Sequence, residues 1–403
     1  MDTKKIFKAF QAEARRIQKE LILLRRHLHK HPEPRWEEWQ TSALVAERMK
    51  ALGLEVKTGV PDTAVVANLR GKRRGPCVAL RTDLDALAIA DGKKVEYAST
   101  VPGVSHACGH DVHITVVTGV AMVLSKFRDM LPGVVKFIFQ PSEEIPIEDR
   151  DGAREVIRAG GLENPHVDAI FGLHTWPELR AGQVGVNAGP AMACATGFSI
   201  TMRGEKAHAG TPQFGRDALL AMCQAIISVH HLISRRLAAA DCAAINIGTI
   251  SGGESRSIIA DEVTVGGTMR TIEVPIRERL KEEMRQMVAG ISRAYGTKGR
   301  VTFSPDMPPV INDEHLTRIV DTTARTLLGD NNVVPLKIGA MTAENFALFI
   351  QDRPGFYLKL GIANANTGKA YPLHHQLFDV DERAITTGVS VLCAALYQYL
   401  LQG

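Results

Sequence analysis

Apolar residues near the start of the chain recur at alternating steps of three and four: Phe7, Phe10, Ala14, Ile17, Leu21, Leu24 and Leu28. That spacing is the stripe of an amphipathic helix, and it predicts one helix ending near His31-Pro32. A second helix is predicted over 36–52, with Gly53 as the residue that terminates it. Two strands follow, over 63–69 and 77–82. Gly71-Lys72-Arg73-Arg74-Gly75 between them reads as a hairpin turn in a mixed sheet. Residues 114–130 read as a largely buried helix. An apolar β-rich run over 134–139, a helix over 153–159 and a further apolar run over 169–173 come next. Strands alternating with helices imply a doubly wound α/β arrangement.

The pattern changes near Gly189-Pro190. From 196 to 303 the order is strand, helix, strand, strand, helix, strand, with helices over 217–236 and 275–295. Ala243-Ala244-Ile245-Asn246-Ile247-Gly248 alternates cleanly, as a sheet with one wet face requires. Pro305, Pro308 and Pro309 mark a return. Helices over 314–328 and 342–351, a strand over 356–360 and a last helix over 381–401 complete the chain. The expected fold class is α/β: a doubly wound mixed-sheet domain made of residues 1–190 and 305–403, with a smaller α+β domain inserted over 191–304.

Composition narrows the functional classes. A chain of 403 residues can bury a sizeable core in two or three domains. The net charge of +4 is mild and unclustered, which gives no footing for nucleic-acid binding. Cys77, Cys108, Cys194, Cys223, Cys242 and Cys393 are scattered, mostly in apolar runs. They read as free thiols in a reducing cytosol. The N-terminus lacks the apolar core of a signal peptide, and no apolar run reads as long enough to cross a membrane. The glycine-rich and Gly-x-Ser-x-Gly motifs of NTPases, dinucleotide enzymes and serine hydrolases are missing from the sequence.

The chemistry concentrates in Ser105-His106-Ala107-Cys108-Gly109-His110-Asp111-Val112-His113. Thiol and imidazole are ligands for first-row divalent metals. If the backbone is extended, Cys108 and His110 point to one side, and Gly109 allows a bend that brings both to one volume. The helix that follows places its positive end near His110, which favours an ionised thiol. Other polar groups sit at the ends of apolar runs: Glu143 and Glu144 after Phe139-Gln140, His174 after Gly172-Leu173, and His374-His375 near the C-terminus. Strand C-termini are where α/β proteins build sites. If residues 143 and 144 continue a strand, one of the two glutamates can bind metal while the other faces water.

Leu28-His29-Lys30-His31-Pro32-Glu33, Arg81-Thr82-Asp83-Leu84-Asp85, His106-Ala107-Cys108-Gly109-His110-Asp111, Gln140-Pro141-Ser142-Glu143-Glu144 and Gly172-Leu173-His174 together resemble the aminoacylase-type amidohydrolases of the binuclear metallopeptidases. The resemblance implies a catalytic domain carrying an inserted lid that dimerises. It implies two divalent ions, Mn²⁺ or Zn²⁺, held by Cys108, His110, Glu144, His174 and His374, with Cys108 bridging. It makes Glu143 the general base and proton shuttle, and Asp83 the carboxylate that orients a metal-binding histidine. His113 and His106 are expected to support rather than ligate, and His375 to stay out of the ligand set. Asp85 is left open between a turn role and a site role.

In the inserted domain, Gly204-Glu205-Lys206-Ala207-His208-Ala209-Gly210 resembles the lid histidine motif, which gives His208 the role of polarising the scissile carbonyl. Arg270, in Gly267-Thr268-Met269-Arg270, and Arg256 are candidates for the substrate carboxylate. Four positions depart from the branch pattern: Gln213 in place of a second histidine, Ser257 in place of a substrate-holding asparagine, Ala260 in place of a proline, and Asn345 in place of an aspartate. The expected function is hydrolysis of N-acyl-L-amino acids by a cytoplasmic homodimer or higher homo-oligomer, assembled through the inserted domain, that acts on small molecules and needs no membrane or nucleic acid. Conjugates of acidic amino acids are the alternative substrates. A conjugate-binding protein without turnover is the alternative from another class.

Overall fold

A computed structural model describes residues 3–144, 150–336, 339–364 and 366–402. The chain forms two compact units. One comprises Met1–Gly189, Ile311–Lys337 and Leu348–Gly403; the other comprises Pro190–Val310 and Ile338–Ala347.

In the first unit the opening apolar stripe forms two helices rather than one, α1 (Thr3–Arg16) and α2 (Gln18–Lys30). The break at Ile17 is slight. Ile17 N still donates to Glu13 O and Leu21 N to Ile17 O, both at 3.1 Å, so the stripe keeps its phase and stays buried. Helix α3 (Trp39–Ala51) terminates as expected, with Gly53 left-handed at φ +74°. Strand β1 (Glu55–Gly59), which the apolar pattern does not predict, is largely exposed and lies at the sheet edge.

Strands β2 (Asp62–Arg70) and β3 (Arg73–Asp83) do not form the expected hairpin. Helix α4 (His110–Lys126) precedes β4 (Pro132–Gln140), and β4 inserts between them, antiparallel to β2 and parallel to β3. The β2–β3 connection wraps onto the start of β4. Gly71 N donates to Gly133 O at 2.9 Å, and a Cβ on Gly71 would stand 2.0 Å from Leu131 O. The glycines mark a turn; the turn does not decide which strands pair.

Helix α5 (Gly152–Arg158), β5 (Ala169–Arg180), β6 (Val184–Val186), α6 (Glu314–Leu328), β7 (Val333–Pro335), β8 (Gly355–Ala363) and α7 (Arg383–Gln402) complete this unit. Among the described residues its mixed sheet has eight strands, in the order β1-β2-β4-β3-β5-β8-β6-β7. One sheet face carries Val78, Leu80, Val135, Phe137, Phe171, Leu173, Phe356 and Leu358, which join α4 and α7 in the main core. By strand alternation, the other face carries Arg81, Asp83, Lys136, Gln140, His174, Tyr357 and Lys359, all buried. This polar face leads to the site.

The second unit is a four-stranded antiparallel sheet in the order Lys298–Phe303, Cys194–Arg203, Glu262–Thr271, Ala243–Gly252. Helices Ala218–Arg236 and Val274–Tyr295 bury Ala221, Met222, Val229, Leu280, Met284 and Val288 on one of its faces. Asp217 caps the first helix by accepting from Leu220 N at 2.9 Å. The helix expected over 342–351 shrinks to Phe346–Phe349. The Glu344 side chain takes the Phe346 N–H at 3.0 Å, starting the turn there.

The membrane expectation also needs correction. Two helices, Ala218–Arg236 and Arg383–Gln402, are long and apolar enough to cross a bilayer. Their apolarity has another use: α7 is buried in the main core, and the other helix lays one face on the second unit's sheet.

Candidate metal centre

Cys108 and His110 meet through a turn rather than an extended segment. Gly109 is left-handed at φ +89° and caps α4, whose first residue is His110. Gly109 also packs closely, since a Cβ there would come within 2.6 Å of Thr175 Oγ1. Thr175 Oγ1 donates to Cys108 O at 2.9 Å, which ties this turn to the end of β5. Deeper in the unit, Arg25 donates to Asp111 at 2.8 Å and His29 Nδ1 lies 2.7 Å from the same carboxylate, anchoring the start of α4 to α2. Burial alone would raise the Asp111 carboxyl, but Arg25 and His29 hold it well below the ordinary carboxylate range.

Strand β4 ends at Gln140, and Ser142 turns the chain at φ +47°. Glu143 and Glu144 therefore do not alternate as strand neighbours. Both carboxylates approach His110 Nε2, at 4.0 and 3.8 Å. Asp85 Oδ2 holds Glu144 by accepting its N–H at 3.0 Å. Glu38 holds the neighbouring turn by accepting from Ser142 N at 2.9 Å.

His174 comes from β5, and its Nε2 lies 3.5 Å from Cys108 Sγ. His374 comes from the C-terminal part of the chain. It is left-handed at φ +63°, its N–H donates to Ala107 O at 2.9 Å, and its Nε2 sits 3.3 Å from Glu144 Oε1. The structure thus brings together Cys108, His110, Glu143, Glu144, His174 and His374. Three of the resulting groups are Cys108-His110-His174, Cys108-Glu144-His374 and His110-Glu143-Glu144, each with ligand atoms within 4.8 Å of one another.

The donor set fits divalent ions, and the clearest observation is how the imidazoles are held. His110 Nδ1 donates to Asp85 O at 2.7 Å, and His174 Nδ1 donates to Thr175 O at 2.8 Å. A carbonyl can only accept, so Nδ1 keeps its proton, and in the neutral ring each Nε2 points a lone pair into the cluster. His110 Nε2 and Glu144 Oε1 are buried, and neither has a hydrogen-bond partner among the described residues. The thiol gives the same indication. Despite the helix terminus beside it, Cys108 is pushed well above its ordinary value by burial and by the Glu144 and Glu143 carboxylates. Glu144 itself is lowered to about 2: burial opposes the shift, but His374 and His110 outweigh it. Without a cation the protons stay on the Cys108 sulfur and on His110, where burial is outweighed by Asp83 and Asp85 and the imidazole is held well above its ordinary value; a bound cation would displace them.

Asp83 does not orient a cluster histidine directly. Its Oδ1 accepts from His113 Nδ1 at 2.8 Å and stands 3.8 Å from His110 Nδ1, the position that the Asp85 carbonyl occupies. His113 Nε2 accepts from Thr175 N at 2.9 Å, so Asp83 supports the β5 end through His113. Residues Asp85, Thr175 and Glu38 are the supports that sequence reasoning left open or missed. His375 lies outside the cluster, stacked on Tyr371 at 4.8 Å.

The remaining candidates lie in the second unit. His208 is exposed, and its Nδ1 accepts from Gly210 N at 3.0 Å. It pairs with the segment containing Arg256 and Ser257, where Ala209 N donates to Ser257 O at 2.9 Å. Arg270 Nη1 reaches Met341 O at 3.3 Å. Gln213 is exposed and Asn345 is buried.

Residues 79–398 match the pattern of the Peptidase family M20/M25/M40. A protein of Synechocystis named as a probable hydrolase is 37% identical over 94% of this chain and 95% of its own. The N-acetyl-L-cysteine deacetylase of Bacillus subtilis is 34% identical, with 92% and 85% of the two chains covered. Among solved structures, a dinuclear metal-binding peptidase of the M20 family from Bacillus subtilis superposes with a TM-score of 0.84 at 32% identity, over 96% of this chain and 99% of that one. With the match spanning most of its length, the chain belongs to the Peptidase family M20/M25/M40 and is an amidohydrolase of that family.

Proposed function

We propose that this enzyme hydrolyses the amide bond of N-acyl-L-amino acids, releasing a carboxylic acid and a free amino acid. The observation that carries the reading is the cluster of a thiol, three imidazoles and two carboxylates, with two Nε2 atoms aimed inward by carbonyl bonds on Nδ1. The similarity to an N-acetyl-L-cysteine deacetylase supports the substrate class. Cys108, His110, Glu144, His174 and His374 would hold two divalent ions, Mn²⁺ or Zn²⁺. Bound there, such ions supply Lewis acidity to the amide carbonyl and make a water more acidic.

Glu143 is the proton carrier in this reading. Its carboxylate sits at the cluster rather than in bulk solvent, so it can take a proton from the attacking water and deliver it to the leaving amine. His208 is assigned the developing oxyanion, and Arg270 the α-carboxylate, with Arg256 and Ser257 as further substrate contacts. Asp83, through His113, keeps the β5 end in place.

We also place the enzyme in a reducing cytoplasm, in keeping with six free cysteines, and infer a homodimer formed through the second unit. There Leu219, Leu220 and Ile227 lie exposed on one helix, and Ala243–Gly252 leaves a sheet edge open. Sedimentation of the purified chain tests the dimer; a monomer at micromolar concentration refutes it.

The test of function is release of free amino acid from acetyl, benzoyl and indole-acetyl conjugates, using protein stripped by a chelator and reloaded with Mn²⁺ or Zn²⁺. Turnover that returns only with metal supports the proposal. Full metal loading without turnover on any conjugate overturns the substrate class.

A further inference from the structure

Among the described residues, the polar face of the first unit's sheet holds three buried basic side chains. Arg81 donates to Gln140 at 2.7 Å and to Asp83 at 2.9 Å. Lys136 donates to Glu163 O at 2.7 Å and Pro165 O at 2.8 Å. Lys359 is only 2% exposed, and its side chain has no hydrogen bond or ion pair to any described residue. Its ammonium lies over the Trp176 ring, 4.2 Å from the centroid. Glu178, exposed on β5, acts on it only from beyond ion-pair distance.

The position is next to the metal cluster. Lys359 on β8 is in register with His174 on β5, so the two side chains share a sheet face. The Trp176 and Tyr357 rings each stand 6.3 Å from the His174 ring, so the indole neighbours both His174 and the ammonium. A lysine in the run Phe356-Tyr357-Leu358-Lys359-Leu360 is costly for packing. An apolar residue would fill the place without a desolvated charge. The indole face offsets part of that cost and leaves the N–H donors free for an anion. Trp176 is only half-buried, so the ring that covers the ammonium is itself partly open to solvent.

We infer that Lys359 is a specificity residue that receives a second substrate carboxylate, and that the preferred conjugates are N-acylated aspartate or glutamate. This rests on the amidohydrolase reading for the reaction, but not for the anion site itself.

The experiment compares kcat/KM for N-acetyl-Asp and N-acetyl-Glu with the near-isosteric N-acetyl-Asn and N-acetyl-Gln, in the metal-loaded enzyme and in Lys359→Met and Lys359→Arg. The expected wild-type preference for the acidic member is at least about tenfold. Lys359→Met should abolish the preference, mainly through KM, and Lys359→Arg should keep part of it. No wild-type preference, or one that survives Lys359→Met, overturns the inference. A second readout does not need turnover: glutarate should raise the melting temperature of the metal-loaded wild type more than that of Lys359→Met. Equal shifts overturn the anion site. If no N-acyl amino acid is hydrolysed while the glutarate difference stands, the reaction assignment fails and the anion site survives.

Discussion

Substituting Gly109 by alanine tests the construction of the metal centre most directly. The residue sits at φ +89° and ψ 19°, between Cys108 and His110. A left-handed alanine costs about 1–2 kcal/mol. The new methyl would also lie 2.6 Å from Thr175 Oγ1 and 2.9 Å from its Cγ2. Thr175 cannot retreat: its Oγ1 donates to Cys108 O, its N–H donates to His113 Nε2 and its carbonyl accepts from His174 Nδ1. Overpacking of this kind costs about 1–3 kcal/mol, so the two effects together come to about 2–5 kcal/mol. The metal-free variant should melt lower by about 1–2 °C per kcal/mol. Competition against a chromophoric chelator should show metal affinity weakened at least about tenfold, because both donors flanking the glycine move. Thr175→Ala in the same background removes the collision but not the backbone cost. A coupling of about 1–3 kcal/mol between the two substitutions is therefore expected. Wild-type melting and wild-type metal affinity in Gly109→Ala would refute the reasoning.

Glu143→Gln should still bind two ions yet lose about 10²–10⁴ in kcat; near-normal turnover removes Glu143 from the proton-carrying role. Chelation should abolish activity and lower the melting temperature, and reloading should restore both, since an ion that binds only the folded chain stabilises it by mass action. In the second unit, Asp306 accepts from Lys281 at 2.6 Å and Thr196 at 2.5 Å. Burial would raise its pKa, but these bonds and the nearby Arg277 hold it below the ordinary 3.8. A lowered carboxylate stabilises the fold above its unfolded value and loses that contribution as pH falls through the folded one. Asp306→Asn should therefore melt below wild type at pH 7, with the gap closing below about pH 4; a pH-independent gap contradicts this.

Periodicity carried much of the fold. The helices over 217–236, 275–295 and 314–328 lie within a residue or so of their expected ends, because their apolar stripes and caps are local. The strand order was not local, so the turn glycines at 71 and 75 suggested a hairpin that β4 displaces. The site shows the same division. Motifs named the ligand candidates, but the groups that aim the imidazoles are the carbonyls of Asp85 and Thr175, and a backbone carbonyl has no signature in sequence. That is also why Asp83 was linked to a cluster histidine when it bonds to His113. Lys359 was legible as part of a strand, but its unpartnered charge appears only once the register with His174 is known.

The insertion of β4 also shapes how the chain must be made. β1 can cover the outer edge of β2 as soon as both are synthesised, but β2's inner edge and β3 wait for residues 132–140. At ordinary translation speed that wait is roughly 3–12 s, a long interval for unpaired apolar strands that can add to any neighbouring edge. The nascent chain is thus most prone to aggregate just before the strand arrives that seats Glu143 and Glu144. Aggregation losses during expression should accordingly track the rate at which α4 and β4 are produced.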